Sequence, residues 1–299
     1  LSHSSAASDV YKRQILKMGT YIYEPLMGSL QKHGALAGLR RWTLERDDSG
    51  TIYPHRIYKD GKDNIYHSVT HILKETAPQE QKDALERWIE RKGSADERDM
   101  ACERGRLAHA HAEYLLKTGA KLARHNANKR GIWRTGQDEL DRCPTKVTQW
   151  ALSKAAETAP RVSWSASGYA RGLRSFILER VTAIHSIEFS VYDKDYGFAG
   201  TADALIDIDG KLTICDWKTS KEVRSDEMLL NYCHQLGAYN YALRKLTGIE
   251  CTQALVCIAR RSGKPQLKLL DSLALRSSEI CFMERCMKFQ EQIKELAVV

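Results

Sequence analysis

The chain has 299 residues, of which 42% are hydrophobic and 28% charged, with a net charge of +8. That length can bury a sizeable core, as one large domain or as one domain with an appended lobe. No apolar run approaches the roughly 18–20 residues a membrane helix needs, so no membrane partner is expected. The excess of Lys and Arg favours a polyanion instead, because these side chains neutralise phosphates and release counterions.

Residues 1–14 (LSHSSAASDVYKRQ) carry no initiator Met. The stretch resembles translated adapter sequence and could also pass for a transit peptide; it is set outside the fold argument. Residues 51–60 and 63–67 read as a β ribbon around Asp60-Gly61. Ser68 then opens a helix through Val69, Ile72 and Leu73, which share helical spacing. Residues 78–93 continue as a charged amphipathic helix. A stronger helix runs from about Asp96 to Leu116 and is expected to stop before Gly119. Residues 120–150 are basic and aperiodic and read as a loop or insertion, whereas 146–157 and 167–184 read as helices.

After Ile184 the period changes from helical to alternating. Strands are expected over 186–193, 197–208 and 211–219, then a helix over 226–246. Strands near 252–259 and 265–270 and a last helix over 274–296 complete the chain. This order predicts a mixed α/β core over 166–299, joined as one catalytic unit to a ribbon and helical lobe over 15–165. The eight cysteines (Cys102, Cys143, Cys215, Cys233, Cys251, Cys257, Cys281 and Cys286) include no CxxC pair. They read as reduced, mostly buried thiols of a cytosol-like compartment.

The chemistry is expected on one hairpin. Asp209-Gly210 is a strong two-residue type I′ turn signal. With that turn, Ile208 faces Lys211, Asp203 faces Asp216, and Thr201 faces Lys218, all four functional positions falling on one sheet face. Opposed Cβ atoms lie about 4.5–5.5 Å apart, so two carboxylates there repel unless a cation compensates them. Mg²⁺ takes hard oxygen ligands of this kind. Lys218 adds a positive charge that can orient a water or stabilise a transition state. The bland alternative is an exposed hairpin with alternating charges, but Asp216 and Lys218 interrupt an otherwise apolar, core-like strand.

Gly200-Thr201-Ala202-Asp203 followed by Asp216-Trp217-Lys218-Thr219-Ser220 resembles the PD-(D/E)XK nuclease superfamily, in its RecB-like branch. Glu188 on the preceding strand, Gln235-Leu236-Gly237-Ala238-Tyr239 as a QxxxY motif, and Arg104-Gly105 with His109 and Glu113 as an upstream G-x-x-x-H helix agree with it. Ser68-Val69-Thr70 is similar to a segment of the mitochondrial genome maintenance and related phage exonucleases. The resemblance covers about residues 66–260 and implies a restriction-endonuclease-like mixed sheet flanked by helices.

It also implies roles. Asp203, Asp216 and the Trp217 main-chain carbonyl would bind Mg²⁺ or Mn²⁺, with His109 completing the shell. Lys218 would be the catalytic lysine, and Glu188 would bind metal through water or position the nucleophile. Gln235 and Tyr239 would hold the flanking helix and touch DNA. Arg104, Ser68, Thr70 and Thr219 join them as expected DNA contacts. Each has a structural alternative: His109 as an ordinary helical histidine, Glu188 in a strand-edge ion pair, Tyr239 in packing, Ser68 and Thr70 as helix caps. Cys281 and Cys286 do not reproduce the cysteine pattern of the iron–sulfur members, so no cluster is expected.

The expected activity is metal-dependent hydrolysis of DNA, by an exonuclease that prefers single strands or free ends, in replication, repair or recombination. A structure-specific endonuclease and a non-catalytic nucleic-acid binder are the alternatives; a metal-dependent phosphatase ranks last. The basic stretch 120–165 either contacts DNA or is solvated. A cytoplasmic location in a bacterial or phage-infected cell is expected, with a mitochondrial one left open, and the sequence sets no oligomeric state.

Overall fold

A computed structural model describes residues 40–42, 57–59, 64–91, 93–132, 134–135 and 140–298. The segment 1–14 and the Asp60-Gly61 turn lie outside the described residues. Strands β1 (Arg40–Trp42), β2 (Ile57–Lys59) and β3 (Ile65–Ser68) form an antiparallel ribbon. Helix α1 (Val69–Glu75) follows at once, because Ser68 caps it by accepting the His71 N–H at 3.2 Å. Helices α2 (Gln79–Glu90) and α3 (Ser94–Lys129) come next.

Here the structure corrects the sequence reading. Helix α3 passes straight through Gly119. That glycine serves close packing, since a Cβ there would stand 2.6 Å from the Leu152 side chain. A glycine in a helical pattern therefore marked a helix crossing and not a C-cap. The supposed loop from 120 is the last third of α3, followed by a two-stranded sheet of β4 (Arg134–Thr135) and β5 (Asp141–Arg142). Helices α4 (Thr145–Thr158) and α5 (Trp164–Arg180) complete this half. Residues 181–184, expected in a helix, belong instead to strand β6 (Val181–Asp193). Their apolar side chains at Val181 and Ala183 are buried on the sheet, and β-branched and apolar residues read alike at a helix-to-strand junction.

Strands β7 (Phe198–Ile208) and β8 (Lys211–Ser220), helix α6 (Asp226–Thr247), strands β9 (Gln253–Arg260) and β10 (Gln266–Leu270), and helix α7 (Ser272–Val298) finish the chain. The main sheet runs β1-β2-β3-β7-β8-β9-β10, with β6 on the other side of β7. Parallel pairing of β8 with β9 and of β3 with β7 makes it mixed. One face packs on α1, α6 and α7 through Leu205, Ile214, Leu236 and Phe282. The other packs on α3, α4 and α5 through Leu115, Leu173, Ile206 and Trp217. Trp217 is 2% exposed and meets Phe176 edge-on. Burying such a side chain is worth about 1.5–3 kcal/mol, and a one-residue slip of β8 would forfeit it. Trp217 thus fixes the register that puts Asp216 and Lys218 on the opposite, α6-facing side.

Candidate active site

The Asp209-Gly210 turn has positive φ at both positions, 51° and 79°, as a type I′ turn requires. The β7–β8 ladder rises from Ile208↔Lys211 to Ala204↔Cys215 and then stops. Asp203 and Asp216 occupy the next position, where the strands part. Earlier along the same side of β7, β3 pairs with Phe198 and Ala199. The fork between β3 and β8 is the floor of the candidate site.

Asp203 is the one residue of β7 that joins neither flanking ladder among the described residues. On β6 its neighbour is Glu188, which lies between the paired residues Ile187 and Phe189 and has φ 52°. A non-glycine residue in that region costs of order 1–3 kcal/mol and is held there only by its surroundings. The alternation of faces breaks at this pair. Phe189 and Ala202 enter the core under α6, whereas Ile187 and Ala204 enter the one under α3 and α5. The expectation that Thr201 faces Lys218 therefore fails. Thr201 pairs with Ser190, hydrogen-bonding its hydroxyl at 2.9 Å and that of Tyr58 at 3.2 Å. Period-two counting needs an unbroken ladder, and the unpaired Asp203 interrupts it.

The two carboxylates are held by different elements. The Trp217 backbone N–H donates to Asp203 Oδ2 at 2.6 Å. Gln235 on α6 donates from Nε2 to Asp216 Oδ1 at 2.9 Å and to the Tyr239 hydroxyl at 3.0 Å. Lys218 Nζ pairs with Asp216 Oδ2 and lies 5.1 Å from the ring centroid of Tyr232. His109 on α3 brings Nδ1 to 3.7 Å from Asp203 Oδ2. Asp203, Asp216, Lys218, His109 and Gln235 thus converge from both faces of the sheet.

Their electrostatics follow from burial. Desolvation raises both Asp203 and Asp216 to about 6, partly offset by the Lys218 charge. Burial depresses Lys218, but Asp216 and Asp203 outweigh it and leave the amine above its ordinary range. Desolvation, seconded by Lys218, lowers His109 to about 4, against opposing effects of Asp216 and a backbone hydrogen bond to Trp217. His109 is neutral near pH 7 and has a lone pair to offer.

The remaining expected residues are placed less uniformly. Tyr239 is 3% exposed, and its ring fills the space over Gly200, where a Cβ would meet Tyr239 Cε1 at 2.3 Å. This burial matches the packing alternative for Tyr239 and leaves little of its ring open to a DNA strand. Ser68 is 3% exposed and its hydroxyl caps α1, also standing 3.3 Å from that of Thr70. Thr70 lines a groove of about 880 Å³ between α1, α2 and α6 that ends on Tyr232 and Gln235. Arg285 of α7 secures its wall, donating to the Thr76 hydroxyl, the Asn231 side chain and the Leu73 carbonyl. Thr219 stands against α3, where a Cβ on Gly105 would lie 3.4 Å from its hydroxyl. Arg104, half-buried beside Gly105, takes no hydrogen bond or ion pair among the described residues. Tyr232 was not singled out from sequence, although Tyr232, Gln235 and Tyr239 stand at i, i+3 and i+7 on one helix face.

The family model of the PD-(D/E)XK nuclease superfamily matches residues 64–295. The chain belongs to that superfamily. The match spans both halves of the fold, from β3 through α7, and the mixed sheet flanked by helices is of the restriction-endonuclease type. Among curated proteins, the chain is similar to mitochondrial genome maintenance exonuclease 1 of Mus musculus, 24% identical over 68% of this chain and 52% of that protein. The Homo sapiens and Xenopus tropicalis proteins of the same name are 22% and 23% identical. The chain spans about half the length of these relatives. A crystal structure from Eubacterium rectale bearing an exonuclease name is 12% identical, with TM-score 0.31, over 62% of this chain and 84% of that one. Among the described residues no helix is long and apolar enough to cross a membrane, and all eight cysteines are free thiols.

Proposed function

We propose that this nuclease is a metal-dependent DNA exonuclease that acts on free-ended or single-stranded DNA in replication, repair or recombination. One observation carries the reading: Asp203, Asp216 and Lys218 meet where β7 and β8 part, with Gln235 holding Asp216 at 2.9 Å. Two buried carboxylates with a single ammonium to compensate them carry excess negative charge when both are ionised, and a divalent cation would relieve it. The oxygen-rich donor set suits Mg²⁺ or Mn²⁺. Among the described residues no group of three or more His, Cys, Asp or Glu is close enough to hold a metal. The proposed donors are therefore the Asp203 and Asp216 carboxylates with the Trp217 carbonyl, His109 joining them only if it moves in from its place 3.7 Å from Asp203, and water and phosphate oxygens would supply the rest.

A cation bound there supplies Lewis acidity to the scissile phosphate and to the attacking water. The chain's residues do the positioning. The Trp217 N–H fixes Asp203, Gln235 fixes Asp216, and the Lys218 ammonium stands where negative charge grows on the phosphate. Glu188, held opposite Asp203, is the proposed positioner of the nucleophile. The groove lined by Thr70 leads a strand to Gln235, with Ser68 supporting Thr70 through the α1 cap. Arg104 and Thr219, where α3 meets β8, are the proposed phosphate contacts on the other side. The free thiols suit a cytosolic compartment and a mitochondrial matrix equally.

The deciding experiment is degradation of end-labelled single- and double-stranded DNA with Mg²⁺, Mn²⁺ or chelator, alongside a circular single strand. Metal-dependent shortening of linear single strands, with the circle untouched, is expected, and Lys218→Ala abolishes it while DNA binding persists. Efficient cutting of the circle identifies an endonuclease of the same fold. Binding without cleavage in either metal identifies a non-catalytic binder.

A further inference from the structure

Trp164 opens α5 and is 81% exposed, unusual for a side chain with so much apolar area. The Arg261 guanidinium lies 5.3 Å from the centre of its ring, within cation–π range. The pairing is built into the backbone. One turn into α5, Gly168 lies so close to the Arg261 carbonyl that a Cβ would stand 1.9 Å from it. The first turn of α5 and the turn after β9 are therefore locked together.

Their position relative to the catalytic centre follows from the sheet. Strand β9 runs parallel to β8, with Lys218 beside Ile258. Arg261 is three residues further on, about 10 Å along the strand direction and about 5 Å to the side. The other end of α5 is tied to the hairpin turn by Arg180, whose Nε donates to Asp209 at 3.0 Å. Helix α5 thus presents Trp164 at the end of the sheet where Asp216 and Lys218 lie, but on the face opposite theirs, so that a strand running from one to the other passes round the sheet end. The two segments that meet here are basic, although Glu97 of α3 lies nearby, paired with Lys221 at 3.3 Å. Residues 158–174 and 251–270 contain no Asp or Glu and include the exposed Arg161, Arg171, Arg261 and Lys264.

We infer that Trp164 and Arg261 form a stacking platform that receives a base of single-stranded DNA a few nucleotides from the scissile phosphate. This rests on the nuclease reading above and adds a second contact region to it. An exposed aromatic face takes any base, and flanking cations follow the backbone, which is how sequence-tolerant single-strand binding is built. The Arg261 guanidinium against the ring and the Lys and Arg of the two adjoining segments favour a polyanion over a protein partner.

The test uses Trp164→Ala and Trp164→Phe in the full chain. Affinity for fluorescent single-stranded oligonucleotides of increasing length is measured with chelator, and KM and kcat are measured with metal. Trp164→Ala is expected to weaken long-oligonucleotide binding about tenfold, with Trp164→Phe restoring most of it. The loss should appear as a rise in KM and shrink for oligonucleotides too short to reach the platform. Equal affinity of Trp164→Ala and the unaltered protein at every length overturns the inference. So does an equal loss on duplex and single strand, since a duplex offers no free base to stack. A change in oligomeric size with unchanged DNA affinity overturns it in favour of a protein interface. Because binding is read without cleavage, an inactive but DNA-binding protein would defeat the nuclease reading and still test the platform.

Discussion

Gln235 donates one hydrogen bond to Asp216 Oδ1 at 2.9 Å and a second to the Tyr239 hydroxyl at 3.0 Å, so the QxxxY pair of α6 acts on strand β8 through a single amide. Partners that orient a ligand commonly cost 10–100-fold in metal affinity or activity when removed. Gln235→Ala is therefore expected to lower turnover about 10–100-fold and to raise the metal concentration for half-maximal activity. Tyr239→Phe removes only the far hydroxyl and is expected to do much less. Metal titrations of both variants check this; equal losses would mean that Tyr239 acts directly.

Gly200 opens the G-T-A-D run because the Tyr239 ring lies where its side chain would be. In Gly200→Ala the new methyl would stand 2.3 Å from an aromatic carbon, well inside contact distance. Overpacking of this kind costs about 1–3 kcal/mol, and relief can only come by moving Tyr239 away from Gln235. The variant should melt several degrees lower and lose activity beyond what its folded fraction explains. Unchanged turnover at a temperature where it is fully folded would separate Gly200 from the Gln235–Asp216 link.

The hairpin was legible in the sequence because one short signal, Asp209-Gly210, sets every pair up to Ala204↔Cys215. Beyond that pair the reading failed at Thr201, since nothing local announces that Asp203 leaves both ladders or that Glu188 takes φ 52°. Such strain is a tertiary product, imposed where three strands and a helix must share one point. The helical lobe was misread for a similar reason. Gly119 looks like a helix end until Leu152, distant in sequence, is seen to fill the space. Neither the exposure of Trp164 nor its pairing with Arg261 is visible without the packing of α5 on the end of β9.

His109 stands 3.7 Å from Asp203 and is neutral near pH 7, because burial, reinforced by Lys218, lowers it to about 4. A neutral imidazole is a better ligand for Mn²⁺ than for Mg²⁺, which prefers oxygen. His109→Ala should therefore weaken Mn²⁺-supported activity more than Mg²⁺-supported activity, leaving the melting temperature of the metal-free protein near its original value. Equal losses in the two metals would instead assign His109 to holding Asp203 in place.

The raised carboxylates predict an unusual stability profile. Asp203 and Asp216 titrate near 3.8 when unfolded and about 6 when folded and metal-free, chiefly through desolvation. The folded state binds these protons more tightly, so their contribution to stability is greatest at low pH and is lost as pH rises through about 6. The metal-free protein should thus gain stability from this pair as pH falls from 7 towards 5. Asp216→Asn, neutral at every pH, should flatten that slope. A divalent cation competes with the same protons, so its stabilising effect should be large at pH 7.5 and fade below about pH 6. Thermal melts with and without Mn²⁺ across pH 5–8 check both halves. Identical pH profiles of the unaltered and Asp216→Asn proteins between pH 7 and 5, both metal-free, would show that burial does not raise this carboxylate as described.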